Sequence, residues 1–323
     1  WTNTAHTQFS KFQAAPHIFF VLHHAAKVAF MLLCCMKTIK DVFTAYRQEL
    51  STIYDANEIS AITLLVISDI CEINNAKIKA FPELELTSEQ SEKLTAILPE
   101  LKTGKPVQYI LGHTEFYGLP FNINSSVLIP RPETEELVEW VIESVGSLKL
   151  VVGSLLDIGT GSGCIAISLK KNLPGFKMLA IAISAQALQT AASNAELNSV
   201  DIEFIEADIL DQASHISNLT SQIFLIISNP PYVTLQDKTR MHTNVTDFEP
   251  HTALFVPEDD PLVFYKAIAD YAMDNLISGG LLFFEINESL GTETVELLQA
   301  KGFKNIELRK DMSDRDRMIR AKR

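Results

Sequence analysis

Cysteine is scarce in this sequence: Cys34, Cys35, Cys71 and Cys164 are the only four among 323 residues. Four cannot supply a disulfide framework for a chain of this size, and no pair has the C-x-x-C spacing of a metal site. The expectation is a reduced, cytoplasmic setting with no bound metal. Basic residues are outnumbered, 27 Lys and Arg against 40 Asp and Glu, for a net charge of -13. A surface of that sign repels a phosphate backbone. The one basic run, Arg315 to Arg323, alternates with Asp316, Met318 and Ile319 and reads as a last strand, so direct nucleic-acid contact is not expected. Repeats and low-complexity segments are missing too, which excludes solenoid, collagen-like and disordered classes.

Uninterrupted apolar runs of membrane-spanning length are absent as well. His17 to Met36 comes nearest, but His23, His24 and Lys27 break it. The chain opens on Trp1, and from Met36-Lys37 onward it has the composition of a soluble amphipathic protein. Residues 1–35 are therefore read as a non-native or disordered extension upstream of a start at Met36, with an amphipathic extension or anchor as the alternative.

What is present divides into roughly two domains' worth of chain. Residues 36–105 carry helical periodicity: Ile39, Val42, Phe43 and Tyr46 recur at three and four, as do Ile59, Ile62, Leu65, Val66 and Ile70. Thr87 with Gln90 forms a capping box before a helix that stops near Gly104 and Pro106. Residues 106–130 read as a β-hairpin linker, with β runs at 107–110, 114–117 and 119–123 broken by Gly112, Gly118 and Pro120. In residues 131–323, Pro132 opens a helix, and apolar β runs at 155–158, 178–183, 202–205, 223–227 and 281–286 then alternate with helical patterns. A terminal helix and two closing strands, 303–309 and 316–320, predict an antiparallel hairpin at one edge of a doubly wound, mostly parallel α/β sheet.

Asp157-Ile158-Gly159-Thr160-Gly161-Ser162-Gly163 sits at the carboxyl end of the first of these strands, where glycines let backbone approach a ligand without a Cβ in the way. No Lys follows Gly163, so this is not a nucleotide phosphate loop. A ribose-binding acid is expected about 20 residues later, at the end of the second strand. That place reads Ala182-Ile183-Ser184, without a carboxylate. Asp208, after the third strand, suits an adenine amino group, or is a plain cap or loop carboxylate. After the fourth strand comes Asn229-Pro230-Pro231-Tyr232. The prolines stiffen the loop, the Asn229 side chain and the Pro230 backbone each offer a carbonyl to one planar NH₂ group, and Tyr232 offers a flat face for stacking. An amide nitrogen is a poor nucleophile, and holding both its N–H groups directs its lone pair toward an electrophile.

Together these residues resemble class I S-adenosylmethionine-dependent methyltransferases, and more narrowly the HemK/PrmC family of peptide chain release factor glutamine methyltransferases. The likeness extends to Pro106–Gly112, Phe116-Tyr117-Gly118, Leu128–Glu135, Phe248-Glu249-Pro250, Lys310-Asp311 and Arg315-Asp316-Arg317. It implies methyl transfer from S-adenosylmethionine to the N5 nitrogen of the glutamine in a Gly-Gly-Gln loop, with S-adenosylhomocysteine as product. It further implies that the helical domain docks the release factor; the expected state is a monomer. On that basis Asp157, Gly159, Thr160, Gly161, Ser162, Gly163, Ala182, Asp208, Ile209 and Asn229 would form the donor site. Asn229, Pro230, Pro231, Tyr232, Arg131 and Glu133 would form the substrate side, with Asn229, Pro230 and Tyr232 catalytic. Two positions depart from the family pattern: Ala182 stands where it has Asp, and Asn287 where it usually has Gly. An amino-methyltransferase acting on a DNA or RNA base, or a release-factor-binding protein with impaired donor binding, are the competing readings.

Overall fold

The computed structural model describes residues 36–146, 153–211, 222–239 and 241–323; the expected extension at 1–35 lies outside them. The chain separates into two compact units that meet in sequence between Val107 and Gln108. In the first, helices Ile39–Leu50, Ala56–Cys71, Asn75–Ala80 and Ser88–Leu101 pack about one apolar core. Thr87 and Gln90 form the reciprocal capping box expected of them. The second helix differs in one detail: it buries Ile59, Ile62, Thr63, Val66 and Ile67, while Leu65 faces out. The buried set follows the i, i+3, i+4, i+7, i+8 stripe of a single face, and the Thr63 hydroxyl is satisfied by the Ile59 carbonyl at 2.6 Å.

The expected linker is corrected in its first element. Residues 107–110, read as a β run, begin a short helix, Val107–Leu111. Pro106 precedes its first residue, and Gly112 ends it at φ +81 with its N–H on the Gln108 carbonyl at 2.8 Å. Proline ahead and left-handed glycine behind are helix punctuation, and a five-residue apolar run carries too little period to show it. The hairpin follows as β1 (His113–Phe116) and β2 (Leu119–Asn122), then the helix Pro132–Gly146.

A seven-stranded sheet forms the body: β3 (Ser154–Ile158), β4 (Lys177–Ala182), β5 (Glu203–Glu206), β6 (Ile223–Ser228), β7 (Leu276–Glu285), β8 (Lys304–Lys310) and β9 (Asp316–Lys322), in the order β5-β4-β3-β6-β7-β9-β8. The β3 to β7 pairs are parallel, and β9 runs antiparallel between β7 and β8. Alternation along the strands serves two cores. Leu155, Met178, Ala180, Leu225, Ile227 and Phe283 pack on one face, and Leu156, Leu179, Ile181, Ile226, Leu282 and Phe284 on the other. With both faces covered, the parallel strands need continuous apolar runs, which is why they stand out in sequence.

Candidate active site

The chain leaves β3 in one direction, to β4 and β5, and returns on its other side as β6, so the strand order reverses between β3 and β6. Ligands of open α/β sheets bind at the carboxyl ends of such a switch point. The glycine loop follows β3 and the Asn-Pro-Pro-Tyr segment follows β6, so the topology brings the two motifs together.

A cavity of about 350 Å³ lies there. Gly159, Gly161, Ala182, Asp208, Ile209, Asn229, Pro230 and Pro231 all line it. Gly159 and Gly161 hold φ of +81 and +54, and a Cβ added to either would meet nothing within 4 Å. The loop is thus a cradle whose missing side chains leave room for a ligand. Gly163 differs: at φ +82, a Cβ there would press on Ile167 and Ala191, so this glycine serves close helix packing. Thr160, Ser162 and Asp157 stand behind the loop and do not line the cavity. Neither Asp157 carboxyl oxygen has a hydrogen-bond partner among the described residues, nor do Thr160 Oγ1 and Ser162 Oγ. Burial pushes the Asp157 carboxyl up to about 7; Thr160 and the Ala166 N–H oppose the shift from nearby without reaching hydrogen-bond geometry.

Ala182 is the last residue of β4 and, 8% exposed, lies on the cavity wall. Ile183, read as strand, lies beyond its end and is 60% exposed at the cavity. One Asp208 carboxyl oxygen accepts the Leu210 N–H at 2.8 Å, as expected of a loop carboxylate, and the residue also lines the cavity.

A second cavity, about 450 Å³, is lined by Asn229, Pro230 and Tyr232, with Arg131, Asp237 and Arg317 among its charged groups. Asn229 and Pro230 line both cavities; Pro231 faces only the first and Tyr232 only the second. Arg131 is held by Glu249, whose other carboxyl oxygen accepts the Ile129 N–H. Glu133 lines neither cavity. Asn287, the second departure from the expected pattern, donates its amide to the Tyr232 carbonyl at 3.1 Å and to Asp237 at 3.0 Å, pinning the end of the tetrad.

Sequence reasoning gives Glu285 and its partner Thr134 no role. Glu285, at the end of β7, is 1% exposed and accepts the Thr134 hydroxyl at 2.7 Å and the Tyr232 hydroxyl at 3.1 Å. Burial raises the carboxyl of Glu285, and burial with the Glu285 charge raises the Tyr232 phenol, which keeps its proton. A carboxylate closing an otherwise apolar strand beside two ligand-bearing strand ends was the available signal.

This sheet order, with a glycine cradle after its first strand and the Asn-Pro-Pro-Tyr segment after its fourth, is that of a class I S-adenosylmethionine-dependent methyltransferase. The PrmC N-terminal domain family matches residues 41–112, and the methyltransferase small domain family matches residues 142–247. The release factor glutamine methyltransferase of Flavobacterium psychrophilum is 47% identical over 286 residues, 88% of this chain and 98% of that one. That of Bacteroides thetaiotaomicron is 40% identical over 281 residues, 87% and 99% of the two chains. A crystal structure of a release-factor-specific protein-(glutamine-N5) methyltransferase from Alicyclobacillus acidocaldarius aligns with TM-score 0.38 and 25% identity, over 63% of this chain and 99% of that one. The chain belongs to the release factor glutamine methyltransferase family.

Proposed function

We propose that this protein methylates the side-chain amide nitrogen of the glutamine in the Gly-Gly-Gln loop of peptide chain release factors, with Asn229 and Pro230 as the acceptors that hold the reacting NH₂. The observation that carries this reading is that Asn229 and Pro230 line both cavities. A group transferred from a molecule in one to a molecule in the other passes these two residues.

The cavity beside the glycine cradle fits S-adenosylmethionine, whose sulfonium supplies an electrophilic methyl group when bound. Gly159 and Gly161 would take its methionine part, with Asp208 and Ile209 along the adenine. On the acceptor side, the Asn229 side-chain carbonyl and the Pro230 backbone carbonyl each accept one amide N–H. The nitrogen lone pair, otherwise delocalised into the carbonyl, is thereby aimed at the methyl group, and the positive charge that builds on nitrogen meets two oriented dipoles. Positioning of this kind contributes about 7 to 11 kcal/mol in favourable cases, so no strong general base is required. The alkylated nitrogen loses its proton to water. Tyr232 packs against the amide, and Arg131 borders the space its peptide enters.

The remaining parts of the reading follow. The helical unit docks the release factor, the protein acts as a monomer in the cytoplasm, and neither nucleic acid nor metal takes part. An acidic surface suits a protein substrate better than a nucleic-acid one. The test is mass spectrometry of a release factor incubated with the protein and S-adenosylmethionine. One methyl group on the Gly-Gly-Gln glutamine is expected; an unmodified glutamine, or a methyl group on another residue, would overturn the reading.

A further inference from the structure

Asn229 has two ends, and only its carbonyl is useful to a substrate NH₂ group. Its amide nitrogen lies 3.3 Å from Thr134 Oγ1, in the first turn of the helix Pro132–Gly146. Thr134 is 3% exposed, and its hydroxyl lies 2.7 Å from Glu285 Oε2. A hydroxyl has one proton, and Glu285 takes part as the acceptor: the Thr134 and Tyr232 hydroxyls each donate to a separate one of its oxygens, and Arg317 with these two bonds opposes the rise that burial gives the carboxyl. The Thr134 proton is therefore committed to Glu285, and the Thr134 oxygen can face Asn229 only as an acceptor. The Asn229 group turned toward Thr134 must then be NH₂, because the reversed amide would set a carbonyl oxygen against a lone pair. Glu285 Oε1 meanwhile holds the Tyr232 hydroxyl at 3.1 Å. One buried carboxylate thus ties the first and last residues of the tetrad, the first through Thr134 and the last directly.

We propose that Glu285, acting through Thr134, is a positioning residue that sets the direction of the Asn229 amide, so that its carbonyl faces the substrate nitrogen. This rests on the reading that Asn229 accepts from the glutamine amide. Thr134 and Glu285 touch no part of the donor cavity, so their loss should act on turnover and leave donor affinity alone.

The test uses the full chain with a release factor as substrate, and compares Thr134→Val, Thr134→Ser and Glu285→Gln. Thr134→Val preserves shape and removes the acceptor for Asn229. It should lower kcat about 10- to 100-fold, as loss of a partner that orients a reacting group commonly does. KM for the donor and the dissociation constant of S-adenosylhomocysteine should move less than about twofold. Thr134→Ser keeps the hydroxyl and should hold kcat within about threefold of wild type. In Glu285→Gln, a carboxamide can donate to Thr134 or accept from it, so the direction of the chain is no longer dictated. Its kcat should fall with Thr134→Val, and the double variant should be no slower than the slower single one, since the two act through one chain. If Glu285→Gln fails to fold, the Val and Ser pair carries the test alone. Wild-type kcat in Thr134→Val, equal losses in Val and Ser, or a loss confined to KM would overturn the proposal. The reading it rests on fails separately: that failure would appear as wild-type turnover in Asn229→Ala, whatever the Thr134 variants do.

Discussion

The Ala182 carbonyl accepts the Ala207 N–H at 3.1 Å, which joins the ends of β4 and β5 and puts Asp208 on the same cavity wall as Ala182. Position 182 lacks a carboxylate, but another, Asp208, lines the same cavity from a different strand end. Ala182→Asp should supply two acceptor oxygens to the ribose hydroxyls and tighten S-adenosylhomocysteine binding about tenfold or more, since one hydrogen bond to a charged group is worth about 1.5 to 3 kcal/mol. Turnover at saturating donor should change little, because ribose contacts are the same in the ground and transition states. Isothermal titration calorimetry measures this. Equal or weaker affinity would mean that Asp208 already serves the ribose, or that two neighbouring carboxylates repel each other more than the new bonds gain.

The glycines of the loop separate by task. Gly161→Ala places a methyl group toward the cavity at a backbone φ of +54; donor affinity should drop at least about tenfold with a modest stability loss of about 1 kcal/mol. Gly163→Ala instead drives a methyl group against Ala191 and Ile167, at 3.2 and 3.0 Å, and should cost about 1 to 3 kcal/mol of stability. Denaturant midpoints and calorimetric affinities, measured on both variants, check the contrast. Equal effects of the two substitutions on both quantities would contradict it.

Much of this was legible in the sequence, and the limits have physical causes. The ends of β3, β4 and β6 show because strands buried on both faces are uninterrupted apolar runs, and glycine, proline or serine marks where each stops. The helix Val107–Leu111 did not show, because five residues complete little more than one turn. Leu65 was assigned inward because it is apolar, when the stripe of its helix passes through Thr63 and Ile67. Glu285 and Thr134 lie 151 residues apart. Their partnership exists only once β7 ends beside the helix that Pro132 opens, and no local pattern carries it.

Stability should depend on pH through Asp157. Its carboxyl, ordinarily near 3.8, is pushed up to about 7 in the fold by burial. Between those values the folded protein holds a proton that the unfolded chain has released, so stability falls as pH rises through that window and is level above it. Asp157→Asn carries no such proton. Its melting temperature should fall less than that of wild type from about pH 5 to about pH 8, with the two profiles diverging by on the order of 5 °C. Parallel profiles in a thermal scan would show that Asp157 is ionised throughout.

The most direct measurement is the methylation rate of the release-factor glutamine by Asn229→Ala at saturating donor, with S-adenosylhomocysteine affinity and melting temperature recorded alongside. Asn229 lies at the end of a strand where the two cavities meet, and removing one preorganised polar group from a reacting centre typically costs 10²-fold or more, about 2.7 to 4 kcal/mol. The expected result is a kcat lowered by at least about 10²-fold at saturating donor in a protein that melts much as wild type does, and, because Asn229 also lines the donor cavity, with donor-product affinity weakened by a smaller factor than kcat. Methylation of the glutamine at near the wild-type rate would contradict the role given to Asn229, and with it the assignment of the tetrad as the place where the methyl group is received.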